Sequence, residues 1–149
     1  MVDAGNPSSS DAFNAQFVVT NERGEIELLQ TRLIGEAKRM QYNEASQFAV
    51  KLALEEALSN AFKHGNNADP AKKITVDCRV GPMEIHIEVE DEGPGFDPDA
   101  VPDPTEEENI EIPSGRGLVL IRSFMTSVRF APPGNRLMMT YHRPADESA

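Results

Sequence analysis

The chain of 149 residues carries 14 Lys and Arg against 25 Asp and Glu, and its net charge of −11 repels a phosphate backbone, which argues against direct nucleic-acid binding. At 39% hydrophobic and 26% charged residues it reads as one globular domain, long enough to bury a core without a staple. The single cysteine, Cys78, excludes an internal disulfide and a multi-cysteine zinc site; no apolar run has the length of a membrane span, and with no signal-peptide pattern the expected location is cytoplasmic.

Residues 1–11, rich in Ser, Asn, Pro and Gly, are expected to be disordered, and 143–149 to form a flexible tail. Phe13, Phe17 and Val19 share one parity, as in a half-buried strand. After the turn NERG, Ile26, Leu29, Leu33, Ala37 and Met40 recur at helical spacing, which predicts a helix from about Glu25 to Met40. Asn43 suits the N-cap of a second helix, Glu44 to about His64, and Gly65 the left-handed residue that ends it. Two strands follow, Lys73–Val80 and Met83–Asp91, joined at Gly81-Pro82; each alternates apolar with polar residues, the pattern of a sheet covered on one side. From Glu92 to Ser114 five prolines and the acids Glu106, Glu107 and Glu108 leave no periodicity, so this segment reads as a functional loop, a lid over about 92–117. Leu118–Met125 reads as a helix. Val128 and Phe130, then Leu137, Met139 and Tyr141, give a closing hairpin across Pro132–Asn135. His86 and His142 read as exposed strand residues and Cys78 as a core thiol. The expected fold is α/β (α+β): a two-layer sandwich whose mixed, mostly antiparallel sheet is covered on one face by about three helices, within a domain spanning 12–142.

Three clusters carry chemistry. In the long helix Glu56, Asn60 and His64 stand at four-residue intervals, beside a buried stripe of Leu54, Ala57, Leu58 and Ala61. Such a row is commonly a solvated polar face, yet Asn is a poor helix-interior residue. A carboxylate and an amide oxygen one turn apart could also hold Mg²⁺ and orient a nucleophile. The second cluster is Asp91-Glu92-Gly93-Pro94-Gly95-Phe96. Asp91 has the parity of Ile85, Ile87 and Val89, so its carboxylate points to the covered side and needs a partner. A purine amino group would serve, as would the turn's own backbone. The third, Ser114-Gly115-Arg116-Gly117-Leu118, opens a helix whose first NH groups could face a phosphate, or is a plain glycine hinge. Arg116 is the only basic residue between Glu92 and Ile121.

In this order the clusters form an N box (E-x-x-x-N-A-x-x-H-G), a first glycine box (D-x-G-x-G-F) and a second (G-x-G-L). The pattern resembles the Bergerat-type (GHKL) ATP-binding fold of gyrase, Hsp90, histidine kinases and MutL. Within it the chain looks most like the bacterial anti-sigma-factor serine/threonine kinases, over about residues 12–142. The resemblance implies ATP and Mg²⁺ as cofactors. Asn60 would be the Mg²⁺ ligand, Glu56 the general base, Asp91 the reader of the adenine amino group, and Gly93 and Gly95 the lining of the base. Gly115 and Gly117 would let the lid close over the phosphates. His64, Phe96, Ser114 and Leu118 complete the implied ATP site, with Arg116 as the catalytic cation. Some members carry a basic residue just before the second glycine box, where this chain has Pro113 and Ser114.

The implied function is an ATP-dependent protein serine/threonine kinase that sequesters a sigma factor and phosphorylates a serine on an anti-sigma-factor antagonist of STAS type. The acidic surface suits the basic regions of a sigma factor. Neither nucleic acid nor membrane is an expected partner, and the oligomeric state is open, a homodimer included. The alternatives are a non-catalytic ATP-binding partner-switching module and a stand-alone histidine kinase catalytic domain. The latter lacks a phosphoacceptor His in its first helix.

Overall fold

The computed structural model describes residues 12–94, 115–131 and 135–145. Residues 1–11, 95–114 (most of the expected lid), 132–134 in the expected hairpin turn, and 146–149 lie outside them. Strand β1 (Phe13–Val19) leads into helix α1 (Arg23–Arg39) and helix α2 (Glu44–Asn60), which continues as a π turn, Ala61–Gly65. Strands β2 (Ile74–Val80) and β3 (Glu84–Glu90) form a hairpin; helix α3 (Gly115–Phe124) precedes the hairpin of β4 (Ser127–Ala131) and β5 (Arg136–His142). The sheet order is β1-β2-β3-β5-β4, and every pairing among the described strands is antiparallel, in keeping with the mostly antiparallel sheet expected.

Alternation in the sequence becomes a two-faced sheet. Ile74, Val76, Cys78 and Val80 of β2 and Ile85, Ile87 and Val89 of β3 are buried under the helices, with Leu137, Met139 and Tyr141 of β5. Leu29, Leu33 and Ala37 of α1 and Val50, Ala53, Leu54, Ala57 and Leu58 of α2 supply the other half of the core. Helix α1 starts at Arg23 rather than Glu25 because the Glu22 carboxylate accepts the Glu25 N–H at 2.9 Å and caps it. Asn43 caps α2 as its sequence position predicts, accepting the Ser46 N–H at 2.8 Å. Burial pushes the Cys78 thiol up to about 12, so it is an unreactive core residue. His142 is exposed, whereas His86 is half-buried, with Nδ1 3.0 Å from Thr140 Oγ1 and Nε2 2.9 Å from Glu88 Oε2.

Arg143, read from sequence as the head of a tail, is buried. Its guanidinium donates to the carbonyls of Met40 (2.6 Å), Gln41 (3.0 Å) and Pro82 (2.8 Å), and lies 4.0 Å above the Tyr42 ring. It ties the end of β5 to the α1–α2 turn and to the β2–β3 turn. The clamp lies near the start of α2; the opposite end of α2 is where the chemistry-bearing residues lie.

Candidate active site

The α-helical ladder of α2 stops at Asn60, and the π turn closes with Asn66 N–H donating to the Ala61 carbonyl at 2.8 Å. A π turn carries more residues per revolution than an α-helix and recurs at functional sites. It shifts half-buried His64 out of the α-helical phase that the spacing from Asn60 predicts. The left-handed conformation expected at Gly65 falls instead at Asn67 (φ 54°) and Ala68 (φ 56°).

Glycine at 65 has a different cause. A Cβ there would fall inside the Asp91 carboxylate, and a Cβ at Gly93 would fall inside the Gly65 carbonyl. The N box and the first glycine box are therefore in direct contact, with no room for side chains between them. Asp91 is fixed by its backbone: its N–H donates to the Asn135 carbonyl (3.0 Å), and the Asn135 side chain returns a 3.0 Å bond to the Asp91 carbonyl. Oδ1 accepts the Gly93 N–H at 2.7 Å, the turn-capping role that the sequence leaves open. Oδ2 accepts no hydrogen bond from a described residue. Partial burial raises the Asp91 pKa above the ordinary carboxylate value; the Gly93 N–H opposes this, Glu90 adds to it and Lys72 lowers it.

Asn66 escaped the sequence reading. It is fully buried; its side chain donates to the Lys73 carbonyl (3.0 Å) and accepts the Glu92 N–H (2.7 Å). The Glu92 carboxylate in turn accepts the Lys73 N–H. One amide thus joins the end of the π turn, the start of β2 and the exit of β3. The only sequence signal was an Asn just past a helix end, which also reads as a turn residue.

Glu56 and Asn60 lie half-buried toward this end of α2, and neither side chain hydrogen-bonds a described residue. Helix α3 packs along α2, burying Leu118 and Ile121. Phe124, at its last turn, meets Phe48, in the early turns of α2, with ring centroids 6.3 Å apart. A parallel run would carry α3 off the end of α2, so the extensive packing requires an antiparallel one, and α3 read backward heads toward the Asn60 end. Gly115, Arg116 and Gly117 form its first turn; of these three the backbone alone is described. Gly95, Phe96 and Ser114 lie outside the described residues.

Among the described residues no group of three or more His, Cys, Asp or Glu could by itself hold a metal ion. A divalent cation here would rest on the Asn60 amide oxygen and take its other ligands from phosphate and water, the habit of Mg²⁺. The Asp91 oxygen left open beside Gly65 suits an amino donor on a flat ligand.

The described residues form an antiparallel five-stranded sheet under three helices, with this junction at one end of α2. The chain matches the histidine kinase-like ATPase domain over residues 20–141, and it belongs to that family. It is 35% identical over 81 residues to the anti-sigma F factor of Oceanobacillus iheyensis, covering 53% of this chain and 56% of that one. An anti-sigma F factor of Clostridium perfringens is 30% identical over 89 residues, 58% of this chain and 64% of that one. The serine-protein kinase RsbW of Oceanobacillus iheyensis is 30% identical over 103 residues, 65% of each chain. The chain thus spans between about half and two thirds of the length of these curated relatives. Its fold is like that of the solved RsbU and RsbW domains of a Mycobacterium tuberculosis protein, at a TM-score of 0.59 and 16% identity, over 91% of this chain and 34% of that one. Among the described residues no helix is long and apolar enough to cross a membrane.

Proposed function

We propose that this chain is an ATP-dependent protein serine kinase of the anti-sigma type, binding a sigma factor and phosphorylating a serine on a STAS-type antagonist. One observation carries the reading. Asp91 Oδ2, which accepts no hydrogen bond from a described residue, is held against Gly65, at the end of the helix that presents Glu56 and Asn60 with no hydrogen-bond partner among the described residues.

In this reading Asp91 Oδ2 accepts a hydrogen bond from the adenine amino group, while Gly65, Gly93 and Gly95 keep the approach clear of side chains. Asn60 holds the Mg²⁺ through its amide oxygen; when bound, that ion supplies charge neutralisation across the triphosphate. Glu56 accepts the proton of the acceptor serine as its oxygen bonds to the γ-phosphorus. The bond from that phosphorus to the β–γ bridging oxygen breaks, and ADP leaves. The amide groups of the first turn of α3 face the phosphates, and Arg116 supplies the cation that the residues before the second glycine box, Pro113 and Ser114, do not. The names of the relatives, anti-sigma F factor and serine-protein kinase, support a sigma factor as a partner and a protein serine as the acceptor; the antagonist is part of the proposal.

The test is capture of partners from cell extract on the full chain, with and without Mg·ATP. It is followed by transfer from γ-labelled ATP and phosphoamino-acid analysis. Label on a serine of a captured protein is the expected result. Capture with no transfer would leave a binding module, and label on histidine a histidine kinase domain.

A further inference from the structure

Glu44, Phe48, Leu52, Glu56 and Asn60 follow one another at four-residue intervals along α2, so their side chains form one row that winds by about 40° per step around the helix. The middle of the row is apolar, with Phe48 exposed and Leu52 half-buried. Phe48 is 59% exposed and touches Phe124 of α3 edge-on, and Leu120, one turn before Phe124, is 38% exposed. Core packing does not account for them, since α2 buries Val50, Ala53, Leu54, Ala57 and Leu58, and α3 buries Leu118 and Ile121. The row is bounded by carboxylates: Glu56 at one end and exposed Glu44 at the other, and neither forms an ion pair or hydrogen bond with a described residue.

We infer that this row is a docking track for the serine-bearing segment of the substrate protein, an inference that rests on the kinase function proposed above. Glu56 meets the acceptor hydroxyl. Phe48, with Leu52, Leu120 and Phe124, takes an apolar side chain of the segment, and Glu44 takes a basic one. Helix geometry sets the spacing. Phe48 lies eight residues from Glu56, about 12 Å along the axis, and Glu44 twelve residues away, about 18 Å. An extended segment advances ~3.3 Å per residue. The track therefore reads an apolar residue three or four positions from the serine and a Lys or Arg five or six positions from it, on the same side.

The test uses the full chain with Mg²⁺, γ-labelled ATP and synthetic serine peptides. In these peptides Phe or Ala, and Lys or Glu, are placed in turn at positions two to six on either side of the serine. Phe three or four residues away is expected to raise kcat/KM over Ala about tenfold through KM, the scale of one buried aromatic anchor. Phe48→Ala should bring the Phe and Ala peptides to the same kcat/KM. Glu44→Lys should turn the preference at five or six residues from Lys to Glu. Equal use of Phe and Ala peptides, or a Phe preference that survives Phe48→Ala, would overturn the track. Failure to phosphorylate any peptide would overturn it too, since a linear segment is what it reads. Mg·ATP binding in the same samples then separates the two claims. With ATP bound and a folded partner phosphorylated, only the track falls; with no ATP bound, the kinase reading falls as well.

Discussion

Gly65 has no Cβ because the Asp91 carboxylate occupies that space, so the end of α2 and the end of β3 are built as one junction. A Gly65→Ala chain must push the carboxylate aside or separate the two elements. Overpacking of this kind costs about 1–3 kcal/mol, readable by urea unfolding. The cost should shrink in an Asp91→Gly background, the coupling of two groups competing for one volume. Additive losses would mean that the two residues do not meet.

Asp91→Asn separates binding from stability. Burial holds the native carboxyl above its ordinary pKa, so the folded chain keeps its proton to higher pH than the unfolded chain does. The stability this group contributes is complete below the unfolded pKa. It declines as pH rises through the ordinary carboxylate range toward the raised native value. At neutral pH the ionised group is therefore a burden, and Asp91→Asn should leave the ligand-free protein as stable or more so, with a flatter pH dependence. Oδ1 of Asn can still accept the Gly93 N–H. ATP affinity should fall by about 1–3 kcal/mol as the second acceptor becomes a donor. In the unaltered chain, affinity should weaken as pH falls through the native Asp91 pKa. A loss of thermal stability without a loss of ATP affinity would make Asp91 a purely structural turn residue.

Asn66→Ala removes the acceptor of the Glu92 N–H and the donor to the Lys73 carbonyl, both on a fully buried amide. Each group left unpaired costs about 1–3 kcal/mol, so the thermal midpoint should drop by several degrees. Because Glu92 stands next to Asp91, ATP affinity should fall as well. Asn66→Asp keeps the acceptor toward Glu92 and should recover more of the ATP affinity than of the stability. Full stability in the Ala variant would show that water replaces the amide.

Much of this was legible in the sequence. Period-two alternation placed β2 and β3, because one covered face imposes it on every residue. Asn43 marked the start of α2, because its side chain satisfies a backbone donor only three residues on. What stayed hidden depends on partners far away in the chain. Gly65 follows a helix and so reads as a left-handed terminator; its actual constraint is Asp91, which no local pattern shows. Asn66 bridges to Glu92 across 26 positions. Arg143 carries a charge and stands beside a proline-led tail, so it reads as solvated. Carbonyls from two distant turns bury it. The placing of β5 between β3 and β4 was likewise beyond the reach of local pattern. In the candidate site the residue types and their order were readable, while the contact that joins them was not.

Glu56 and Asn60 stand one turn apart but should fail differently. Glu56→Gln keeps the shape of the side chain and removes the base, so ATP affinity should stay within a few-fold while phosphoryl transfer falls about 10²–10⁴-fold. Asn60→Ala removes the oxygen assigned to Mg²⁺, so Mg·ATP affinity and transfer should fall together. Transfer at the native rate by Glu56→Gln would reduce Glu56 to a surface carboxylate.

Titration calorimetry of the full chain with ATP and with GTP, each with and without Mg²⁺, tests the central claim most directly. An Asp91 acceptor should bind ATP and reject GTP, which carries a carbonyl where adenine carries its amino group. A ligand of the Asn60 type should make ATP binding depend on Mg²⁺. Mg²⁺-dependent binding of ATP is expected at an affinity at least tenfold above that of GTP, the factor set by about 1.4 kcal/mol from one mismatched hydrogen bond. Equal affinities for the two nucleotides, or no heat with Mg·ATP, would contradict it.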